Sequence, residues 1–92
     1  MKIAELNINR DTGFARPATL LVSLTRKFKS DIFLEYHGET IEIKHSSKSI
    51  MDILSLGIEP GEQIYIKAVG TDQVKAIQSI NECLYKKGLF NN

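Results

Sequence analysis

The sequence predicts a single α+β domain, an open-faced β-sandwich in which helices cover one face of a four-stranded antiparallel sheet. Three observations carry this reading. Four short segments alternate polar and apolar residues with period 2, as half-buried strands do. The stretches between them repeat apolar residues at helical spacing. The order along the chain is β-α-β-β-α-β-α, and no linker, charge block or internal repeat divides it, so residues 1–92 make one domain. Strands with one wet face suit an antiparallel sheet, and helices packed on the dry face bury it.

The elements follow in order. Residues 2–8 place Ala4, Leu6 and Ile8 on one side and Glu5 and Asn7 on the other, a half-buried strand. Asn9 to Gly13 is turn-forming. Arg16-Pro17 opens the first helix, where the missing N–H of proline costs nothing. Pro17, Leu20, Leu21, Leu24 and Phe28 form its apolar stripe, and Arg26, Lys27 and Lys29 crowd its end, where cations suit the helix dipole. Ile32, Leu34 and Tyr36 alternate with Phe33 and Glu35, then Ile41 and Ile43 with Glu42; His37-Gly38-Glu39 is the hairpin turn. After the polar stretch Lys44 to Lys48, Ser49-Ile50-Met51-Asp52 has the form of a capping box with Asp in place of Glu or Gln. Ser49 is thus the predicted N-cap of a short helix that carries Ile50, Ile53 and Leu54 and stops at Gly57. Pro60-Gly61 turns the chain into a strand over Gln63–Val69, with Ile64, Ile66 and Ala68 inward. Gly70-Thr71-Asp72 leads to a last helix with Val74, Ala76, Ile77, Ile80, Cys83 and Leu84 on its apolar face and Gly88 at its end.

Composition narrows the function classes. Twelve Lys and Arg against 11 Asp and Glu give a formal charge of +1, without the basic excess that nucleic-acid binding normally needs. A single cysteine, Cys83, excludes an intrachain disulfide framework and a multi-cysteine zinc site. The start MKIAELNINR has no long apolar region of the signal-peptide kind, and no stretch approaches the ~20 apolar residues of a membrane span. The expectation is a cytoplasmic protein with no membrane insertion and no direct nucleic-acid partner. His37 lies in a turn and His45 in a polar loop, both solvated by default, and their spacing makes no metal site. Cys83 reads as a small hydrophobe on a helix face. No catalytic constellation, metal site or cofactor site is legible, so the chain is not expected to be an enzyme.

Two stretches carry a resemblance. Gly13-Phe14-Ala15-Arg16-Pro17-Ala18-Thr19, and Lys48-Ser49-Ile50-Met51-Asp52-Ile53-Leu54-Ser55-Leu56-Gly57-Ile58, are similar to the two motifs of the HPr family. HPr is the histidine-containing phosphocarrier of the phosphoenolpyruvate-dependent sugar phosphotransferase system. The family's first motif is roughly G-I-H-A-R-P-A-T, and the second, in one large branch, K-S-I-M-G-V-M-S-L-G-I. With Leu34-Glu35-Tyr36 between them, the resemblance covers nearly the whole chain. It implies a four-stranded antiparallel sheet covered on one face by three helices.

Three departures from the family pattern bear on function. Aligned on Ala15-Arg16-Pro17, Phe14 holds the place of the phospho-accepting histidine; aligned on Gly13-Phe14, that histidine is deleted. About four residues, His45 to Lys48, are inserted before Ser49. Asp52 stands where the second motif has glycine. Phosphoryl relay needs a nucleophile that is deprotonated near neutrality and leaves well, as imidazole with its pKa of about 6.5 does. Phenylalanine has no lone pair to attack with. Arg16, Pro17 and the helix start persist, either as an anion-friendly remnant or as ordinary helix initiation.

The resemblance further implies that Ser49 matches the serine phosphorylated by the ATP-dependent HPr kinase/phosphorylase, with a simple capping serine as the alternative. Asp52 opposes a phosphate three residues away, and Ser46 and Ser47 are neighbours without a motif. It also implies a docking patch of Arg16, Ile50, Met51, Leu54 and Leu56 for Enzyme I, sugar-transporter domains, the kinase and a transcriptional regulator. A Met-containing exposed patch suits adaptable contacts. The leading expectation is a regulatory, partner-binding HPr-like protein, similar in logic to the catabolite-repression HPr homologue. The alternatives are a functional phosphocarrier with another acceptor and an interaction module that is never phosphorylated.

Overall fold

The computed structural model describes residues 1–8, 15–44, 46–59, 61–86 and 90–91, with the backbone alone at 8, 15–17, 90 and 91. Strand β1 (Lys2–Ile8) is followed by helix α1 (Ala15–Thr25), β2 (Asp31–Tyr36), β3 (Glu39–Ile43), helix α2 (Ser47–Ser55), β4 (Gln63–Val69), helix α3 (Gln73–Lys86) and a two-residue β5 (Phe90–Asn91). The sheet order is β3-β2-β4-β1-β5, and all pairings are antiparallel. The expected α+β architecture is therefore present: four principal strands in the order β1-β4-β2-β3 with three helices. β5 extends the sheet beyond the expected four strands through Asn7↔Asn91 and Ile8↔Phe90.

Period-2 patterning places the core. Leu6, Ile32, Leu34, Ile64, Ile66 and Ala68 are buried on one face of the sheet, while Glu5, Glu42 and Gln63 on the alternate positions are exposed. Against the apolar face pack Ala18, Leu21, Val22 and Leu24 of α1, Ile53 of α2, and Ala76, Ile77, Ile80 and Leu84 of α3. Cys83 is half-buried against the same core. On the open face Lys67 and Glu35 form an ion pair across β2 and β4.

The hairpin between β2 and β3 closes through His37 (φ +49°) and Gly38 (φ +82°), with Tyr36 opposite Glu39. Two central residues with positive φ are what a two-residue type I′ turn requires, and its twist matches that of the strands.

Three local expectations need correction. α1 ends at Thr25, so Arg26, Lys27 and Lys29 lie past its last turn and Phe28 packs on the core from the connection. The Lys27 and Phe28 amides donate to the Leu24 and Thr25 carbonyls, tightening the chain after the helix. Val74 is exposed, because α3 turns Ala76, Ile77 and Ile80 inward and leaves its first turn outside the contact. The third correction, the start of α2, is treated with the site below.

α3 is held to the rest of the fold by Asp72, the residue just before its first. The Asp72 carboxylate accepts hydrogen bonds from the Ser30 hydroxyl, from the Lys29 amide at 2.9 Å and from the Ser30 amide at 2.9 Å. Together these donors hold the Asp72 carboxyl below its ordinary pKa of 3.8, the Ser30 hydroxyl contributing most. A carboxyl whose pKa is lowered on folding stabilises the native state above its unfolded pKa, and this contribution disappears as pH falls through the folded value. The Tm difference between wild type and Asp72→Asn is therefore expected to be full at neutral pH and to shrink below about pH 4. A pH-independent difference would show that the carboxylate charge contributes nothing.

Candidate functional site

The site is built on α2 and the segment that enters it. Ser46 is the N-cap, with extended backbone (φ −158°, ψ 155°) and a side chain that accepts the Ser49 amide at 3.4 Å. The Ser49 amide also donates to the Ser46 carbonyl at 3.2 Å. Ser49 is therefore the third residue of the helix, and the expected Ser49 N-cap with Asp52 as its box partner is not formed. Residues Ser47 and Lys48, part of the insertion, are instead wound into the first helical turn.

The Ser49 hydroxyl points inward. Its side chain is in a residue only 4% exposed, and Oγ accepts the Lys44 amide at 2.9 Å. Lys44 in turn accepts the Ser46 amide on its carbonyl at 2.8 Å, so residues 44, 46 and 49 close a compact turn. Buried polar groups need partners, and the Lys44 amide and Ser49 hydroxyl supply each other's. Ser46, Ser47, Lys44 and Lys48 are all exposed around this closed hydroxyl.

Further along the helix the amphipathic pattern divides its faces. Ile53 is completely buried and anchors α2 to the core, and Ile50 and Leu56 are half-buried beside it. Met51 is 70% exposed and Leu54 46%. Asp52 is half-buried, and its carbonyl accepts the Ser55 hydroxyl at 2.7 Å. Leu56 caps the C-terminal end with its amide on the Ile53 carbonyl at 3.1 Å, and Gly57 follows with φ +68°, the left-handed conformation that ends a helix at low steric cost.

Of the residues expected to act together, Ile50, Met51, Leu54 and Leu56 fall on α2 and its C-cap, and Ser49 one turn earlier on the same helix. Phe14 lies outside the described residues, and so do the side chains of Arg16 and Pro17, whose backbone lies in the first turn of α1. α1 and α2 pack against each other. His45 also lies outside the described residues. His37 is exposed; its ring stacks on Tyr36 with centroids 4.0 Å apart, and its Nε2 lies 3.2 Å from Glu62 Oε2. Ser46 carries a role that the sequence reading missed. Ser46, Ser47 and Ser49 all satisfy the compositional rule for an N-cap, so no local signal separates them.

The exposure of Met51 sets an expected result. Met51→Asp should leave the thermal midpoint nearly unchanged, within about 0.5 kcal/mol, because the side chain is in solvent. A loss of several kcal/mol on thermal unfolding would place Met51 in the core and remove it from any contact surface.

Comparison with known proteins places this arrangement. A family profile described as "PTS HPr component phosphorylation site" matches residues 4–86. An HPr-C-His crystal structure from Thermoanaerobacter tengcongensis is 34% identical, with a TM-score of 0.79 over 95% of this chain and 94% of that one. A histidine-containing phosphocarrier protein from Mycoplasma is 29% identical, with a TM-score of 0.84 over 99% and 100%. The Bacillus subtilis catabolite repression containing protein Crh, crystallised as a domain-swapped dimer, is 32% identical with a TM-score of 0.64 over 78% of both chains. The profile reaches across all three helices and from β1 to β4: the chain belongs to the HPr family of non-catalytic phosphocarrier proteins of the phosphotransferase system.

Proposed function

We propose that this chain is a regulatory, partner-binding member of the HPr family that does not relay phosphate through histidine. The observation that carries the reading is Phe14 directly before Ala15-Arg16-Pro17, where the family's acceptor belongs. Whether the histidine is replaced or deleted, no imidazole precedes the helix. His37 gives no substitute, since it lies in an exposed hairpin turn, stacked on Tyr36 and facing Glu62. Function then falls to surfaces. Met51 and Leu54, exposed on α2 and flanked by half-buried Ile50 and Leu56, are the patch through which cytoplasmic partners are engaged, and Arg16 is added to it on the family resemblance alone. Enzyme I, sugar-transporter domains, HPr kinase/phosphorylase and a transcriptional regulator are the partners proposed. Ser49 is the proposed switch, its phosphate changing the field around that patch by about −1.5 to −2 charges.

The test is to incubate the purified protein with Enzyme I and phosphoenolpyruvate. The expected result is no acid-labile phosphate. Stoichiometric labelling at His37, His45 or any other residue would refute the reading and make the chain a working phosphocarrier. Phe14→His, with Arg16 and Pro17 already in place, is expected to restore part of the acceptance.

A further inference from the structure

We propose that the turn tied together by Lys44 and Ser46, with Ser47 and Lys48 in the first turn of α2, is a latch that keeps the Ser49 hydroxyl closed, so that phosphoryl transfer to Ser49 waits on opening of that first turn. The proposal rests on the reading of Ser49 as the regulatory hydroxyl and adds the condition under which it reacts.

The closed state is described by three contacts. Ser49 Oγ takes the Lys44 amide at 2.9 Å, Ser46 Oγ takes the Ser49 amide at 3.4 Å, and the Ser46 amide is tied to the Lys44 carbonyl at 2.8 Å. With Ser49 only 4% exposed, an incoming nucleoside triphosphate has no approach to its oxygen. A phosphate on that oxygen would add three acceptor oxygens where the Lys44 amide now sits.

The alternative state is written in the same residues. If Ser47 and Lys48 leave the helix, Ser49 becomes its N-cap, as the Ser49-Ile50-Met51-Asp52 pattern predicts. The Ile50 and Met51 amides are then free to meet a phosphate, with Lys44 and Lys48 at hand as cations. The rest of α2 need not move, because Ile53 anchors it from the next turn. The segment thus has two registers for one helix start, Ser46-capped and closed or Ser49-capped and open. Phosphorylation draws the population toward the second, since the closed turn buries the Ser49 oxygen and the bulk of a phosphate needs the open one. In the transfer itself Ser49 Oγ attacks the γ-phosphorus of ATP, and the new O–P bond forms as the bond to the β–γ bridging oxygen breaks. ADP leaves with that electron pair, and the hydroxyl proton passes to a base of the kinase.

The test uses the full chain with HPr kinase/phosphorylase and ATP, mapping the phosphate and comparing initial rates. Hydrogen exchange is measured in parallel without kinase. Ser46→Ala removes the closed cap and should speed Ser49 labelling about fivefold, the factor by which a lost serine cap shifts a helix-end equilibrium. Deleting residues 45–48 should speed it more. In the unmodified protein the Lys44 amide should be protected from exchange, and Ser49→Ala should abolish that protection. A Lys44 amide exchanging like an open chain, or wild type labelled as fast as Ser46→Ala, would overturn the latch. A protected Lys44 amide with no Ser49 labelling in any variant, the deletion included, would instead refute Ser49 as the switch.

Discussion

Gly70→Ala is expected to lower the thermal midpoint by at least about 4 °C, a loss of roughly 1–3 kcal/mol in a domain of this size. Gly70 lies between β4 and α3 with φ +156°, where the chain passes close over Ser30. A methyl group built there would sit 2.7 Å from Ser30 Cα and 2.7 Å from Ser30 Oγ. The first of these atoms is backbone and cannot rotate away. The second is the hydroxyl that donates to Asp72, so relieving the clash also pulls apart the tie that holds α3. The effect should therefore exceed that of an ordinary surface Gly→Ala change. Thermal unfolding gives the magnitude, and the Lys29 and Ser30 amides should lose protection from hydrogen exchange together. A midpoint within a degree or two of wild type would mean that the approach of Gly70 to Ser30 is dispensable.

The second large effect is expected at Ile53. Ile53→Ala should cost about 2–5 kcal/mol, from lost burial plus the cavity left behind. Ile53 is the completely buried apolar residue of α2, so no neighbour on that helix can replace its contact with the core. A midpoint drop of at least about 8 °C follows from the size of the domain. Contrast with Met51→Asp makes the measurement informative: two positions apart on one helix, one substitution should be nearly silent and the other severe. Equal effects would show that α2 does not present the faces described.

The strands were legible because their alternation is long and unbroken. Gln63–Val69 matches its predicted span residue for residue, and Ile64, Ile66 and Ala68 turn inward as expected. Helix ends were less legible, for a physical reason. Three serines within Ser46–Ser49 meet the same capping rule, and the choice among them depends on the amide of Lys44, which sequence proximity cannot rank. The exposure of Val74 has a similar origin, since how far an apolar stripe reaches depends on where the helix meets the sheet. β5 is too short for any periodic signal. At the site, the exposed Met51 and Leu54 were expected from the family resemblance, while helical spacing alone put Leu54 on the apolar face with Ile50 and Ile53; the burial of the Ser49 oxygen was legible in neither, since it requires knowing which way the preceding turn folds back.

The position of β4 in the sheet has a consequence for how the chain matures on the ribosome. β4 is the strand between β2 and β1, yet it is made after both of them. Until Gln63–Val69 has left the exit tunnel, β1 has no neighbour of any length, and the only sheet available is the β2–β3 hairpin. An isolated hairpin is at best marginally stable in water. At roughly 5–20 residues per second, the growing chain spends several seconds with the apolar face of β1 and the stripe of α1 uncovered. Assembly is then a late event in which β4 pairs with β1 and with the β2–β3 hairpin at once, and nascent chains stalled short of Val69 are the ones expected to need chaperones.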